Sequence, residues 1–241
     1  RMFDSCSKLT ELNLSNFDTS SVTDMSQMFS ECSSLTSLNI DNFNTSNVTT
    51  FGNMFYFCTK LTELNLGSFD TSKATNISMF RYCGSLKTLD LRNFDTSKVT
   101  GMGGMFSGCV SLVSVDLSNF NTSNVTYMGD MFYNCSSLTT LDLSNFVTTK
   151  VTSMNSMFSS CSSLTTLDLS NFDTSKVTDM SSMFYKCNKL VSVNVSSFNT
   201  ENVTKMTTMF YDCQSLIKLD LSSFTIGAST KLSNYLGGLI Y

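Results

Sequence analysis

The chain of 241 residues has a formal net charge of −4, only 14% of its residues are charged, and it contains no histidine, proline or tryptophan. Low charge combined with many leucines, phenylalanines and methionines excludes a disordered chain. The absence of clustered lysine and arginine argues against a nucleic-acid partner, and no apolar run is long enough to span a bilayer.

Cysteine recurs along the chain at a nearly constant interval. The interval is 26 residues, except for 25 between Cys58 and Cys83. A constant period of this length predicts a solenoid, in which each unit buries its apolar face against its neighbours and a single unit does not fold alone. We expect residues 1–241 to form one solenoid of about nine repeats. The first repeat is incomplete, so we expect the chain to be part of a longer protein.

A complete unit runs from 164 to 189, and its first element is a predicted strand. The sequence LTTLDLSNF places Leu167 and Leu169 on one side and Asp168 on the other, a period of two that is typical of a half-buried strand. Because every unit sends its strand in the same direction, the stacked strands are predicted to form a parallel sheet. Phe172 is predicted to belong to an apolar spine, and Asn171 to form a turn.

A loop, FDTSKVT, follows the strand and leads into a predicted helix. In the stretch VTDMSSMFYKC, Met180, Met183, Phe184 and Cys187 have the spacing of one helical face. Thr178 directly precedes this stretch and is predicted to be its N-cap. The predicted fold class is therefore an α/β repeat solenoid, similar to a leucine-rich repeat, with one short parallel strand and one short helix per 26-residue coil.

Two places depart from this pattern. Between Ala74 and Cys83 one residue is missing, and Ile77 and Met79 are then two residues apart, so we expect a tightened turn there. Residues 225–241 lack the methionine and phenylalanine pattern, and we expect them to be a C-terminal cap or the start of a following segment.

The cysteine pattern favours a structural role over metal binding or disulfide formation. With no histidine and no Cys-x-x-Cys spacing, a zinc site is not expected. Equivalent side chains of stacked coils point in parallel and not toward one another, so a column of buried thiols is favoured over disulfides. We expect no cofactor and no catalytic site, because no nucleophile has a visible base.

Polar residues at the centre of each strand are predicted to form a stripe. Four consecutive members are carboxylates, and a solvated face is the favoured interpretation, with Ca²⁺ binding as the alternative. The carboxylates are Asp90, Asp116, Asp142 and Asp168. Threonine also recurs in two columns, for which turn formation is favoured over ice binding.

Tyrosines form the more informative column. Several of them directly follow the Met-Phe pair, and others lie in the same layer. Tyrosine is favoured in interfaces because it combines a large rigid area with a polar tip. We therefore predict partner contacts on the helix side of the coil, with burial at the edge of the core as the alternative. The candidate residues are Tyr56, Tyr82, Tyr127, Tyr133, Tyr185 and Tyr211.

The unit MFSSCSSLTTLDLSNFDTSKVTDM, residues 157–180, resembles the 26-residue repeat of bacterial surface proteins, which occurs in mycoplasma lipoproteins. Its Met-Phe-x-x-Cys-x-x-Leu segment is similar to that of BspA-type leucine-rich repeats. The resemblance covers residues 1 to about 224. It implies an extracellular protein, secreted or anchored at the bacterial cell surface, and no catalytic residue carries over.

Two functions follow as hypotheses. The first is a module for binding or adhesion to a protein or glycan of a host or neighbouring cell. The second is a spacer that presents another domain, which the uniformity of the columns favours. We expect neither an enzyme nor a nucleic-acid binder.

Overall fold

The computed structural model describes residues 1–237, which form a stack of coils, one coil per repeat. Two short strands are assigned in this range: β1, Thr166–Asp168, and β2, Ser192–Asn194. They pair in parallel, with Leu167 opposite Val193. The predicted parallel pairing of neighbouring units is therefore confirmed in these two coils.

The strand side of the solenoid is defined here as β1, β2 and their equivalents in the other coils. In β1 Leu167 is buried while Thr166 and Asp168 are exposed, as the period of two predicts. Backbone hydrogen bonds between neighbouring coils continue on this side elsewhere, for example from the Thr62 N–H to the Thr36 carbonyl at 3.0 Å. The strand side is thus held together by contacts between coils.

The predicted helix is wrong: no helix is assigned anywhere within residues 1–237. We call residues 179–187 and their equivalents the turn segments, and the side that they form the turn side. Within a turn segment the short-range hydrogen bonds span three residues, as from Met183 N–H to the Met180 carbonyl at 3.2 Å. Alternate residues instead donate to the following coil: Phe184 donates to the Met209 carbonyl at 2.9 Å.

Backbone angles explain why the turn segment is not a helix. Ser182 and Lys186 both have a φ of 57°, in the left-handed region that an α-helix does not contain. Two successive four-residue turns bury positions i, i+3, i+4 and i+7 just as a helix does, so the apolar pattern is satisfied. Since isolated helices of one or two turns are unstable, hydrogen bonds to the next coil replace those within the segment.

The turn segments are joined by a continuous ladder of single parallel bridges. Each bridge connects the residue that begins one turn segment with its equivalent in the next coil. The ladder runs through Asp24, Thr50, Asn76, Gly101, Tyr127, Ser153, Asp179, Lys205 and Lys231.

Thr178 is not an N-cap. Its N–H and its hydroxyl both donate to the Thr152 carbonyl of the preceding coil, at 2.9 and 3.3 Å. The other threonine column is buried, and its hydroxyls take the place of a backbone-to-backbone hydrogen bond between coils. Thr122 Oγ1 accepts the Val147 N–H at 2.7 Å and donates to the Val147 carbonyl at 2.9 Å. Both columns therefore join coils.

In the coil with the 25-residue interval, which lacks one residue, the first of the two turns is absent. Residues 77–80 have no turn assigned, so the expected tightening is wrong, and Ile77 and Met79 are both buried. The second turn of this coil is kept. Phe80 donates to the Met105 carbonyl at 3.2 Å, which restores the register with the next coil.

Phenylalanine rings form the centre of the core. The phenylalanines of the Met-Phe pairs stack from Phe3 to Phe210, with centroids 5.1 to 6.1 Å apart and planes within 12° of parallel. Rings at this distance gain stabilisation beyond the area that they bury. The stack therefore ties each coil to the next.

The asparagines predicted to form turns have a different role. Asn145 Nδ2 donates to the carbonyls of Leu117 and Phe120 in the preceding coil, both at 2.9 Å. Ser197 occupies the same position two coils later, and its hydroxyl donates to the equivalent carbonyls at 3.0 and 2.8 Å. The leucine carbonyl also accepts a backbone N–H, that of Phe120 for Leu117, so the side chain is its second donor. For the phenylalanine carbonyl the side chain is the donor that the backbone does not supply.

The final described residues continue the turn side. Thr208 donates to the Ser233 carbonyl at 2.9 Å and Asp212 to the Gly237 carbonyl at 2.7 Å. Residues 231–237 thus occupy the position of a further turn segment, and residues 238–241 of the segment predicted as a cap lie outside the described residues.

Replacing Asn145 with alanine should lower the free energy of unfolding by about 1–3 kcal/mol, because the Phe120 carbonyl of the preceding coil loses its donor and the Leu117 carbonyl loses one of two. Asn145→Ser should recover part of this loss, as Ser197 does naturally. Urea unfolding followed by circular dichroism measures both. Asn124→Ala is the control, since Asn124 is exposed and donates to a single carbonyl, that of Ser97. Equal losses for the two alanine variants would contradict the proposed role.

Candidate binding surface on the turn side

The structure places the candidate tyrosines on the turn side, but not in one continuous patch. Tyr185 and Tyr211 stack with centroids 5.4 Å apart, and Lys186 lies over the Tyr185 ring with its Nζ 5.3 Å from the centroid. Tyr56 and Tyr82 meet edge to face at 5.9 Å. Tyr133 is half-buried in a coil between these two pairs.

Tyr127 lies on the bridge ladder and is 40% exposed. Its ring covers two glycines: a Cβ added at Gly103 would lie 2.3 Å from Tyr127 Cε1, and one added at Gly129 would lie 2.4 Å from its hydroxyl. The hydroxyl is 3.3 Å from Asn155 Oδ1. Partial burial, together with the nearby Asp130 carboxylate, raises the pKa of Tyr127. The two glycines therefore leave room for the Tyr127 ring to lie against the backbone.

Two residues that the sequence analysis did not single out complete the group around Tyr82. Phe57 is 39% exposed, and its ring centroid is 4.7 Å from that of Tyr82. The guanidinium carbon of Arg81 lies 5.4 Å from the Tyr82 centroid. We call Tyr56, Phe57, Arg81 and Tyr82 the aromatic cluster.

The aromatic cluster occupies two neighbouring coils and two adjacent positions of the turn segment. Arg81 stands at the position that follows Met-Phe, where Tyr56 and Tyr133 stand in other coils. Phe57 and Tyr82 stand one position later, where the remaining coils carry small or polar residues. Comparing residues at this one position across coils is the signal that would have found Phe57.

The acidic stripe lies on the strand side, and its carboxylates accept hydrogen bonds from backbone N–H groups. Asp142 Oδ1 accepts the Ser144 N–H at 2.9 Å, and Asp116 and Asp168 accept in the same way at 3.0 Å. These hydrogen bonds favour the ionised carboxylate and lower the pKa of each aspartate.

Asp90 differs from the other three because it also pairs with Arg92, at 2.6 Å. The hydrogen bonds from Arg92 lower the pKa of Asp90 to about 2. Across residues 1–237 no group of three or more histidine, cysteine, aspartate or glutamate side chains has the geometry to hold a metal ion. The hydrogen bonds of the stripe show that its carboxylates act as acceptors for the backbone.

The thiols from Cys32 to Cys213 are buried and unpaired, whereas Cys6 is exposed. Each buried thiol donates to a phenylalanine carbonyl of the preceding coil, as Cys109 does to Phe80 at 3.1 Å. Burial raises the pKa of Cys109 from 9.0 to about 12, and that of Cys161 equally. The column therefore consists of neutral thiols that serve as small core residues.

Comparison with known proteins identifies the family. The model of the family described as "Mycoplasma protein of unknown function, DUF285" matches residues 1–88, 77–167 and 161–238. The chain belongs to this family. The resemblance to a mycoplasma repeat family is therefore confirmed, and none of the curated proteins compared with the chain matches it.

Solved structures of bacterial leucine-rich-repeat proteins are among those that match this chain. A leucine-rich repeat protein from Bacteroides ovatus is 18% identical with a TM-score of 0.50, over 89% of this chain and 55% of that one. One from Eubacterium ventriosum is 16% identical with a TM-score of 0.38, over 90% of this chain and 80% of that one.

A leucine-rich cell surface protein from Faecalibacterium prausnitzii is 18% identical with a TM-score of 0.29, over 79% of this chain and 74% of that one. The Bacteroides structure supports the leucine-rich-repeat-like fold predicted from the sequence. The chain spans about half the length of that structure. Within residues 1–237 the structure has no helix of the length and apolarity needed to cross a bilayer.

In the native protein Cys6 should react with a thiol reagent, and the buried thiols should react only after unfolding, because their raised pKa and burial leave little thiolate. Stopped-flow titration with a chromogenic disulfide, with and without guanidinium, measures both classes. Cys6→Ser is the control and should abolish the fast phase. A fast phase larger than one thiol in native protein would contradict the buried column.

The same thiols should make stability depend on alkaline pH. An unfolded thiol ionises near 9.0, whereas Cys161 in the fold ionises near 12. Its stabilising contribution is therefore complete below the lower value and is lost as pH rises toward the higher one. Across this window Cys161→Ala should reduce the pH slope of the unfolding free energy by about 1.4 kcal/mol per pH unit. An unchanged slope in urea unfolding would contradict this assignment.

Proposed function

We propose that this chain is a surface-exposed bacterial repeat module that binds a protein or glycan through its turn side. The observation that carries the proposal is the aromatic cluster, a nonuniform group of partly exposed rings and one cation on an otherwise regular solenoid. Aromatic and arginine side chains are enriched where interfaces gain most of their affinity. The stacked pair Tyr185 and Tyr211 supplies a second candidate on the same side.

The proposed location rests on the family and on relatives. The family model names mycoplasma proteins, and the protein from Faecalibacterium is described as a cell surface protein. We propose that this chain is likewise secreted or anchored at the bacterial surface. The proposed partner is a surface protein or glycan of a host or neighbouring cell, and no catalytic step is proposed.

A spacer is the second candidate function. The observation that favours it is the uniformity of the contacts between coils: the bridge ladder, the phenylalanine stack and the thiol column repeat from coil to coil. A rod of this kind holds a neighbouring domain at a distance without binding anything itself. The two functions differ in whether the purified chain has a partner.

The purified chain should bind saturably to at least one member of a panel of host extracellular proteins and glycans. Two turn-side variants divide the candidate tyrosines: one replaces Tyr56, Tyr82 and Tyr127 with serine, and the other replaces Tyr133, Tyr185 and Tyr211. At least one of them should weaken binding about tenfold or more, as expected for truncation of aromatic contacts that dominate an interface. Biolayer interferometry measures the affinities.

The control for this experiment lies on the strand side. Replacing Asp116 and Asp142 with asparagine removes two charges and keeps the turn acceptor, as Asn194 does in its own coil. This variant should bind as the wild type does, with and without Ca²⁺. A strand-side variant that alone loses binding would move the site to the acidic stripe, and a chain that binds nothing would favour the spacer.

A further inference from the structure

The aromatic cluster places bulky residues on left-handed backbone. Phe57 has a φ of 58° and Tyr82 a φ of 61°, in the region that bulky residues rarely adopt. The fold sets this conformation, because the equivalent residues of the other coils also have a positive φ, but they are small, flexible or polar: Ser5, Glu31, Gly108, Asn134, Ser160, Lys186 and Asp212. An aromatic residue in this conformation is the unusual feature, and such outliers tend to occur at functional sites.

Neither ring is needed to complete the core. Phe57 remains 39% exposed, while the phenylalanine stack directly beneath it is fully buried. Serine occupies the same position at Ser160, where the coil keeps its hydrogen bond to the next one at 2.6 Å. The two aromatic residues therefore occupy a strained position. A small residue is enough for folding at that position.

The three rings adjoin one another across two coils but are tilted. The Phe57 centroid lies 5.0 Å from that of Tyr56 and 4.7 Å from that of Tyr82, with the ring planes 57° and 45° apart. The next coil makes room for this arrangement, because a Cβ added at Gly108 would lie 2.2 Å from Tyr82 Cδ1. Gly108 thus lets the Tyr82 ring lie against the backbone.

A cation lies beside the rings. The guanidinium carbon of Arg81 is 5.4 Å from the centroid of the Tyr82 ring. The Arg81 side chain runs beside Gly104, where an added Cβ would lie 3.5 Å from Arg81 Cδ. The Arg81 Nε is buried and so is out of reach of a ligand on the rings, which leaves the N–H groups of the two terminal nitrogens as donors.

The exposed area of the aromatic cluster favours a small ligand. A stable protein interface needs about 800 Å² from each partner, whereas one fully buried aromatic side chain supplies about 150–250 Å². In the cluster only the Phe57 ring is more than a third exposed.

We propose that the aromatic cluster binds one pyranose ring of a glycan. The apolar C–H face of the sugar packs on the exposed Phe57 ring, with the edge of the sugar against the tilted Tyr82 ring, and the Arg81 guanidinium donates to a sugar hydroxyl or to the carboxylate of an acidic sugar. This assignment rests on the proposed function and names its ligand class and its place. It leaves the Tyr185 and Tyr211 pair outside the glycan site.

The test uses the full chain on an array of neutral hexose, uronic-acid and sialylated oligosaccharides, with calorimetry on the glycan that binds. The variant replaces Phe57 and Tyr82 with serine, the residue that several other coils carry at this position. Affinity should fall about tenfold or more, because a stacking aromatic contributes on that scale. Phe57→Leu, which keeps the bulk and loses the ring, should also weaken binding.

The matched control replaces Tyr185 and Tyr211 with serine and should bind the glycan as the wild type does. Protection of the buried thiols confirms that every variant is folded. Equal affinity of the Phe57/Tyr82 variant and the wild type would overturn the proposal, and so would loss of binding in the control alone. A wild-type chain that binds a protein of the earlier panel but no glycan would overturn the glycan assignment and leave the binding function intact.

Discussion

The turn side of each coil has backbone donors that find acceptors only in the next coil. Alternate residues such as Phe29 donate 25 residues ahead, and a buried donor left without an acceptor costs about 1–3 kcal/mol. The coils must therefore stay in register along the whole array. The 25-residue interval is tolerated because the lost residue comes out of a turn, which leaves Phe80 opposite Met105. The ring stack, the buried thiols and the asparagine ladder all depend on this register.

Much of the architecture is readable from the sequence, because period and burial are local patterns. The inward positions of Leu167, Phe172 and Cys187 follow directly from the repeat. The helix was not correctly predicted, since helical spacing and two successive turns bury the same positions. The helix and the pair of turns differ in where the backbone N–H groups find acceptors. In the pair of turns, alternate N–H groups have their acceptors in a neighbouring coil. The left-handed conformation recurs at the position of Asn134 in each coil, but the residue types there vary too much for the sequence to show it.

The candidate site could be predicted only in part from the sequence, because it too depends on contacts between neighbouring coils. The tyrosine column is visible in the sequence, but Phe57 and Arg81 gain their meaning only from contacts between coils. The glycine that receives the Tyr82 ring lies 26 residues away from it in sequence. A surface built from adjacent coils is therefore assembled by the stacking register, and substitutions in one coil change what the next coil can carry.

The hydrogen bonds that alternate main-chain N–H groups of the turn segments make to another coil also have a common direction. The N–H groups of Met25, Gln27 and Phe29 all point toward the following coil, and the carbonyls that receive them point back. The two faces of every turn segment are consequently unlike, one rich in donors and the other in acceptors. An inverted unit would oppose donor to donor, so units join in only one sense. Duplication of a whole unit keeps each donor facing an acceptor, and such an array can grow by repetition alone.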